Sequence, residues 1–326
     1  MKSLNLDDLK SKDIDYSKIV NHTIDVILNS VLCIDHEDKK KLDKYIELSL
    51  MQNPKYIITS NKSEIVNERV LRFEQYDTIF NQILQEIAPN YNKLDYFGIT
   101  GTNGKTTSAF YLNQLIGEDN LFVGTIDEEQ KYFFTKEKIL TTPKLFNIVK
   151  LISLQNKKIK SVSLEVSSHA LEQNRLGNLK FLISGFTNLS QDHLDYHGSL
   201  KNYLHAKSKL FQKGVSEKFV YVDSANSKEI VEISNIDSYS IGTKASNDVR
   251  LLNFDDERIK FSIDGIQVEC ELNLTGPKYI ENYLLAFSMA YYSDKYNLND
   301  LITSSVNLTN PPGRFESITH ENKTVV

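Results

Sequence analysis

The chain reads as an α/β protein: a small N-terminal α/β domain, then a phosphate-loop, doubly wound, mostly parallel central sheet with an added antiparallel hairpin region. Three observations predict this. Short apolar runs alternate with amphipathic stretches through the middle of the chain, the pattern of doubly buried strands covered by helices. One run, "LDYFGIT", stops at a glycine-rich turn that opens a helix, "GTNGKTTS". Further on, "DVRLLNF", "RIKFSID" and "IQVECELNL" are broken at "DDE" and "DG", as hairpins are.

Residues 1–90 form the first predicted domain, with "TIDVILNSVLCID" and "PKYIITS" strand-like and "HEDKKKLDKYIELSLMQ" helical between them. Residues 91–314 form the central one. Its predicted strands are "LDYFGIT", "LFVGTI", "KSVSLEV", "FLISGFTNLS" and "KFVYVDS", with helices at "KTTSAFYLNQLIG", "PKLFNIVKLISLQ" and "KYIENYLLAFSMAYYSDKY". Residues 315–326 read as the start of a further domain, with "SITHENKTVV" an interrupted strand pair whose "TVV" has nothing after it to pair with.

Composition narrows the function classes. Of 326 residues, 40% are hydrophobic and 25% charged, an ordinary globular make-up. A net charge of −5 without a long basic run argues against a general nucleic-acid or anionic-membrane surface. Cys33 and Cys270, far apart, offer neither a disulfide framework nor a CxxC metal pair. The N-terminus carries acids where a signal peptide needs an apolar core, and no run approaches ~18 apolar residues. A soluble, cytoplasmic monomer is expected.

The phosphate loop is the first chemical signal. Backbone N–H groups of a glycine turn, with a helix N-terminus behind them, make an anion cradle. Gly101, Thr102, Asn103, Gly104, Lys105, Thr106 and Thr107 supply it. Lys105 brings charge for terminal phosphates, and the Thr106 hydroxyl suits Mg²⁺. The spacing departs from the strict P-loop, because Gly98 falls one residue early and Ile99 stands where the first glycine belongs.

Two downstream strings sit where predicted parallel strands end. "SLEVSSHALEQNR" puts Glu165 there, and "FTNLSQDHLDYHG" puts Asp192, His193 and Asp195 at the end of the next strand. Ligands of open α/β sheets collect beyond those ends, so Glu165 and His193 are candidate ligands for a nucleotide-bound Mg²⁺. Helix capping for the acid and simple packing for the histidine are the competing readings.

A lysine on the next helix is misplaced for solubility. In "YLHAKSKLF", at about 100° per residue, Lys207 falls on the apolar stripe with Tyr203, Leu204, Leu210 and Phe211. Snorkelling accounts for this if the ammonium reaches water. The alternative is chemical: a desolvated amine is held neutral and nucleophilic. By capturing CO₂ it becomes an anionic carbamate that can bind Mg²⁺.

"GITGTNGKTTS", "EVSSHALEQNR", "FTNLSQDHLDYHGSLKNYLHAKSKLF" and "NPPGRFES" closely resemble the Mur ligases of peptidoglycan synthesis. Within that family the similarity is nearest to the enzyme adding the third residue to UDP-N-acetylmuramoyl-L-Ala-D-Glu. The resemblance implies an ATP-dependent amide ligase. The D-glutamyl γ-carboxylate attacks the γ-phosphate, ADP leaves, and the amine of a diamino acid, meso-diaminopimelate by expectation with L-lysine left open, displaces phosphate from the acyl phosphate. It implies ATP and two Mg²⁺, with Lys105 and the loop amides on the phosphates and Thr106, Glu165, His193 and carbamylated Lys207 on the metals. Thr141, Thr142, Ser167, Gln173 and Arg175 match residues that hold the UDP-muramoyl dipeptide. Asn282 matches an adenine contact and Arg314 a nucleotide contact. Near the uridine site Asp25 is kept, but Val26 and Ile27 replace the family's polar pair, so no residue is assigned to uridine.

The family also carries a third domain of about 150 residues, and this sequence stops where that domain begins. Binding without completed ligation is the expectation for such a chain. Two alternatives stand beside the ligase: a P-loop ATPase or nucleotide switch, and a catalytically silent UDP-sugar-binding module.

Overall fold

The computed structural model describes residues 4, 6–125, 135, 140–155, 158–255, 257–274, 278–313, 318–320 and 323–325. These fall into two compact units. The first comprises Met1–Tyr91 with Phe146–Leu154 and, from the stretch between 128 and 139, Thr135. The second comprises Asn92–Asp127, Leu140–Leu145 and Gln155–Val326.

In the first unit four strands, β1 (Ile19–Val20), β2 (Val31–Cys33), β3 (Tyr56–Ser60) and β4 (Val70–Phe73), lie in that order, all parallel. Helices Lys39–Leu50 and Tyr76–Ile87 follow β2 and β4. Asp38 starts the former by accepting from the Lys40 and Lys41 amides. Leu42 and Ile46 on its inner stripe pack with Leu32, Ile57 and Val26. Of the strand expected over "TIDVILNSVLCID", only Val31–Cys33 is extended. Its first part is a 3₁₀ turn, Thr23–Asp25, capped by the His22 ring on the Ile24 amide. Ser30 then accepts from the Ile27 N–H and donates to the Ile27 carbonyl, and Asn29 takes φ +64°. Local side-chain bonds outcompete the ladder there.

The helix Leu145–Ser153, inside the span read from sequence as central domain, packs mostly with the first unit. Its Lys150 Nζ donates to the carbonyls of Tyr16 (3.2 Å) and Ser17 (3.1 Å), and its Phe146 stacks on Phe80. The two Lys150 bonds span 134 and 133 residues of sequence, a separation that local patterning does not reveal.

The second unit is built on nine strands: β5 (Asp95–Thr100), β6 (Asn120–Val123), β7 (Ser161–Glu165), β8 (Phe181–Phe186), β9 (Ser216–Val222), β10 (Asp237–Gly242), β11 (Val249–Phe254), β12 (Arg258–Ile263) and β13 (Ile266–Glu271). Their order is β13-β12-β11-β10-β9-β8-β5-β7-β6. Pairing is parallel from β6 through to β11 and antiparallel for the last two. The hairpin region therefore extends the parallel sheet. Its "DG" turn is formed by Asp264 (φ +49°) and Gly265 (φ +78°), the left-handed pair a two-residue hairpin demands.

The helix Lys105–Ile116 leads away from β5, and the largely buried helix Tyr279–Tyr292 packs along it through Tyr283, Leu284, Phe287 and their neighbours. Gly98 proves to be a strand residue, where an added Cβ would lie 2.7 Å from the Phe181 ring. Its early position reflects strand packing, not phosphate contact. The strand pair read in "SITHENKTVV" is present: Lys323–Val325 forms a two-stranded antiparallel ladder with Ile318–His320. No helix among the described residues is long and apolar enough to cross a membrane.

Candidate active site

From β5 the chain crosses to β6 on one side, and from β8 to β9 on the other. The crevice beyond the carboxyl ends of β5 and β8 is thus the topological switch point, where α/β sheets take ligands. The glycine loop after β5 and the Thr187–His193 segment after β8 meet there. The Thr102 amide donates to the Asn188 carbonyl (2.9 Å), the Asn103 amide to Asn188 Oδ1 (3.1 Å), and the Thr187 hydroxyl to the Asn103 carbonyl (2.6 Å). Glycine is required at two points. A Cβ at Gly101 (φ +152°) would overlap the Thr187 hydroxyl, and one at Gly104 (φ +86°) would overlap Asn282 Oδ1.

Lys105 begins the helix and folds back, its Nζ donating to the carbonyls of Gly101 (3.0 Å) and Thr102 (2.7 Å). The next residue turns inward: the Thr106 hydroxyl donates to Glu165 Oε2 at 2.9 Å. Glu165 ends β7 and is fully buried. Burial pushes its carboxyl above the ordinary carboxylate range, while donors on Thr125 and Thr106 and the charge of Lys105 pull it back. This is a carboxylate held in a dry site by donors and by a cation from the phosphate loop.

Lys207 points inward. The helix Leu200–Ser208 starts at Ser199, which caps the Asn202 amide, and buries Tyr203, Leu204 and Lys207 together. The Lys207 side chain is 1% exposed. Its Nζ donates to the Gly101 carbonyl at 2.7 Å and lies 4.2 Å from the Tyr203 ring centroid. Burial, then repulsion from Lys105, hold this amine well below the ordinary lysine range, with Asp192 opposing them. Snorkelling is ruled out by the exposure. The amine is buried against the phosphate loop.

His193 stands in a left-handed conformation (φ +50°) at the start of the short helix Leu194–His197. Its ring is half-exposed, 3.5 Å from Asp192 Oδ2, and edge-on to His169 (4.9 Å) and Tyr203 (6.3 Å). Tyr203 thus links it to Lys207. Thr142 joins the Glu165 strand end, donating to the Glu165 carbonyl (2.9 Å) and accepting from the Ser167 amide (2.8 Å). Ser167 caps the helix Ser168–Glu172, accepting from the Ala170 amide. Arg175 is held flat by Gln173, whose Oε1 accepts from its Nε and one Nη, and donates its other Nη to the Thr142 carbonyl. Thr142, Ser167, Gln173 and Arg175 therefore form one connected group, with Thr141 beside it in sequence. Asn282 accepts from the Ser108 hydroxyl (3.3 Å) against Gly104. Arg314 lies outside the described residues.

Several residues escaped the sequence reading. Thr187 and Asn188 brace the loop, His197 Nε2 lies 2.9 Å from the Ser168 hydroxyl, and Thr125 donates twice to Glu165. For Thr125 no local signal was available, because its bonds depend on the pairing of β6 with β7. Among the described residues no three His, Cys, Asp or Glu side chains gather to hold a metal by themselves. The cradle and donor set instead fit a cation that arrives on a nucleotide, taking oxygens from phosphates, Thr106 and Glu165.

A glycine turn between strand and helix at the switch point of a parallel sheet is the build of a phosphate-loop α/β protein. A family model of the Mur ligase middle domain matches residues 99–290, and the chain belongs to the Mur ligase family. It is similar to the UDP-N-acetylmuramoyl-L-alanyl-D-glutamate–2,6-diaminopimelate ligase of Aquifex aeolicus, 34% identical over 247 residues, covering 72% of this chain and 49% of that one. The like-named protein of Fusobacterium nucleatum is 32% identical over 288 residues, covering 84% and 58%. The chain spans about half the length of these curated relatives. A solved structure of a ligase of that name shares the fold with a TM-score of 0.74 at 21% identity, over 98% of this chain and 70% of the other.

Proposed function

We propose that this chain carries the nucleotide- and UDP-substrate-binding parts of a cytoplasmic ATP-dependent amide ligase. The reaction joins a diamino acid to UDP-N-acetylmuramoyl-L-Ala-D-Glu, and diaminopimelate is the amine that the relatives' names suggest. The observation that carries the reading is Lys207: buried, low in proton affinity, and 2.7 Å from the first carbonyl of the phosphate loop.

The chemical demand is to bring a carboxylate onto a triphosphate, two anions that repel. Mg²⁺, when bound, supplies charge neutralisation of the phosphates. The chain's own residues supply the rest. Loop amides between Gly101 and Gly104 receive phosphate oxygens, and Lys105 exchanges its carbonyl partners for them. Thr106 would offer a lone pair to the cation while its hydroxyl keeps its proton, directed at Glu165 Oε2. Lys207, as neutral amine, adds to CO₂: a C–N bond forms, one proton goes to solvent, and the carbamate replaces a buried base with an anion. Beside a phosphate loop only the latter favours a second cation. Arg175, kept planar by Gln173, suits a substrate carboxylate.

The test is calorimetric binding of Mg·ATP and of UDP-N-acetylmuramoyl-L-Ala-D-Glu to this chain, alongside phosphate release with diaminopimelate. Both ligands binding, with Lys105→Ala weakening ATP and Arg175→Ala weakening the dipeptide, supports the ligase reading. ATP hydrolysis indifferent to the UDP-substrate favours the nucleotide switch. Binding of the UDP-substrate with no affinity for ATP favours the silent module.

A further inference from the structure

Glu165 is oriented by more than its own strand. Its Oε1 accepts from the Thr125 backbone N–H at 2.7 Å, and its Oε2 from the Thr125 hydroxyl at 3.2 Å and the Thr106 hydroxyl at 2.9 Å. Thr125 follows β6, which runs parallel to β7 with Val123 opposite Leu164. The turn leaving β6 is thereby brought alongside the residue that ends β7. Gly124 makes the approach possible: an added Cβ would overlap Glu165 Oε1 and lie 2.5 Å from Phe122 Cζ. Thr125 is itself exposed, so core packing does not account for two bonds to one buried carboxylate.

A carboxylate has about four lone-pair sites. Three are taken, two on Oε2 and one on Oε1. We propose that the Gly124–Thr125 turn is a positioning element that leaves Glu165 with one directed lone pair, on Oε1, for a nucleotide-bound divalent cation. Glu165 then binds through a single oxygen, in an orientation set before the metal arrives. Ligands so braced hold metals more tightly than loose ones, and loss of a bracing partner typically costs about 10- to 100-fold in affinity. The inference rests on reading Glu165 as a metal ligand and adds what orients it.

The experiment measures ADP affinity by calorimetry at a series of Mg²⁺ concentrations, with the thermal midpoint recorded for each protein. Thr125→Ala removes one bond and raises the Mg²⁺ half-saturation about fivefold, as expected for roughly one hydrogen bond. Thr125→Ser restores it to within about twofold. Gly124→Ala forces the carboxylate aside and raises it at least about tenfold. Metal-free ADP affinity stays constant throughout. Half-saturation unmoved in Thr125→Ala and Gly124→Ala, with or without a lower midpoint, overturns the inference. If Gly124→Ala does not fold, the Thr125 pair decides. Glu165→Gln separates the two levels: should it leave Mg²⁺ dependence at the wild-type value, the ligand reading falls and this inference with it. Should only Glu165→Gln respond, the positioning role alone falls.

Discussion

Glu165 and Lys207 stand on opposite flanks of the same phosphate loop, both almost wholly buried, and the fold treats them differently. The acid, on the β7 side, receives donors from Thr106 and twice from Thr125. The amine, on the helix after β8, has the Gly101 carbonyl and the face of Tyr203, with a second lysine close enough to repel it. One flank is furnished with donors for a carboxylate. The other keeps an amine where its charged form is disfavoured, which makes sense if the useful species is something the amine becomes.

The contrast is most easily broken by stability. Glu165→Leu takes its acceptor from the buried Thr106 hydroxyl and from the Thr125 amide and hydroxyl, at about 1–3 kcal/mol for each donor that finds no new partner, water included. A loss of about 3 kcal/mol by urea denaturation is expected. Lys207→Met should act in the opposite sense. It removes a desolvated amine, and the Gly101 carbonyl keeps Lys105 as a donor at 3.0 Å. Replacing a buried ionisable group that has no ion partner with an apolar chain of similar length is often neutral or favourable, and a gain of about 1 kcal/mol is expected. If both variants destabilise alike, the asymmetry is not real. A stabilised Lys207→Met that also loses the second-metal contribution to nucleotide binding would be the signature of a residue kept for function.

Smaller effects lie in pH. Burial raises the Glu165 carboxyl above its ordinary 4.5, so the native state binds more protons than the unfolded chain in the window above that value. Its contribution is present at low pH and lost as pH rises through the raised value. Lys207 sits below its ordinary 10.5, so the unfolded chain binds more protons in the window beneath it, and stability rises with pH there. In CO₂-free buffer, denaturation midpoints of wild type minus Glu165→Gln should fall with pH across the acid window. Wild type minus Lys207→Met should rise across the alkaline one. Opposite slopes sharpen the comparison; parallel slopes contradict it.

Much of this was legible in sequence, and the reasons differ by residue. The succession β5 to β9 could be read because each strand carries a short cluster of apolar residues, such as Val162 and Leu164 in β7 or Phe219 and Val220 in β9, and is followed by a glycine or a polar string. The inward direction of Lys207 could be read because helical periodicity is local. Its acceptor could not, since Gly101 is 106 residues away. The mixed-polarity β10, Asp-Ser-Tyr-Ser-Ile-Gly, carries no apolar run, and so neither it nor the junction that joins the hairpins to the parallel sheet is legible in sequence. The opening of "TIDVILNSVLCID" misled because apolar residues there serve a 3₁₀ turn, with Ile27 and Leu28 exposed. Thr125 carries no motif, and its role exists only once β6 lies beside β7.

The account turns on what Lys207 becomes. Carbon-13 NMR of the chain in ¹³C-bicarbonate, with and without Mg·ADP, tests it most directly. The prediction is a protein carbamate resonance that strengthens with Mg·ADP and is absent from Lys207→Met. No such resonance in wild type, or one that persists in Lys207→Met, would contradict the account.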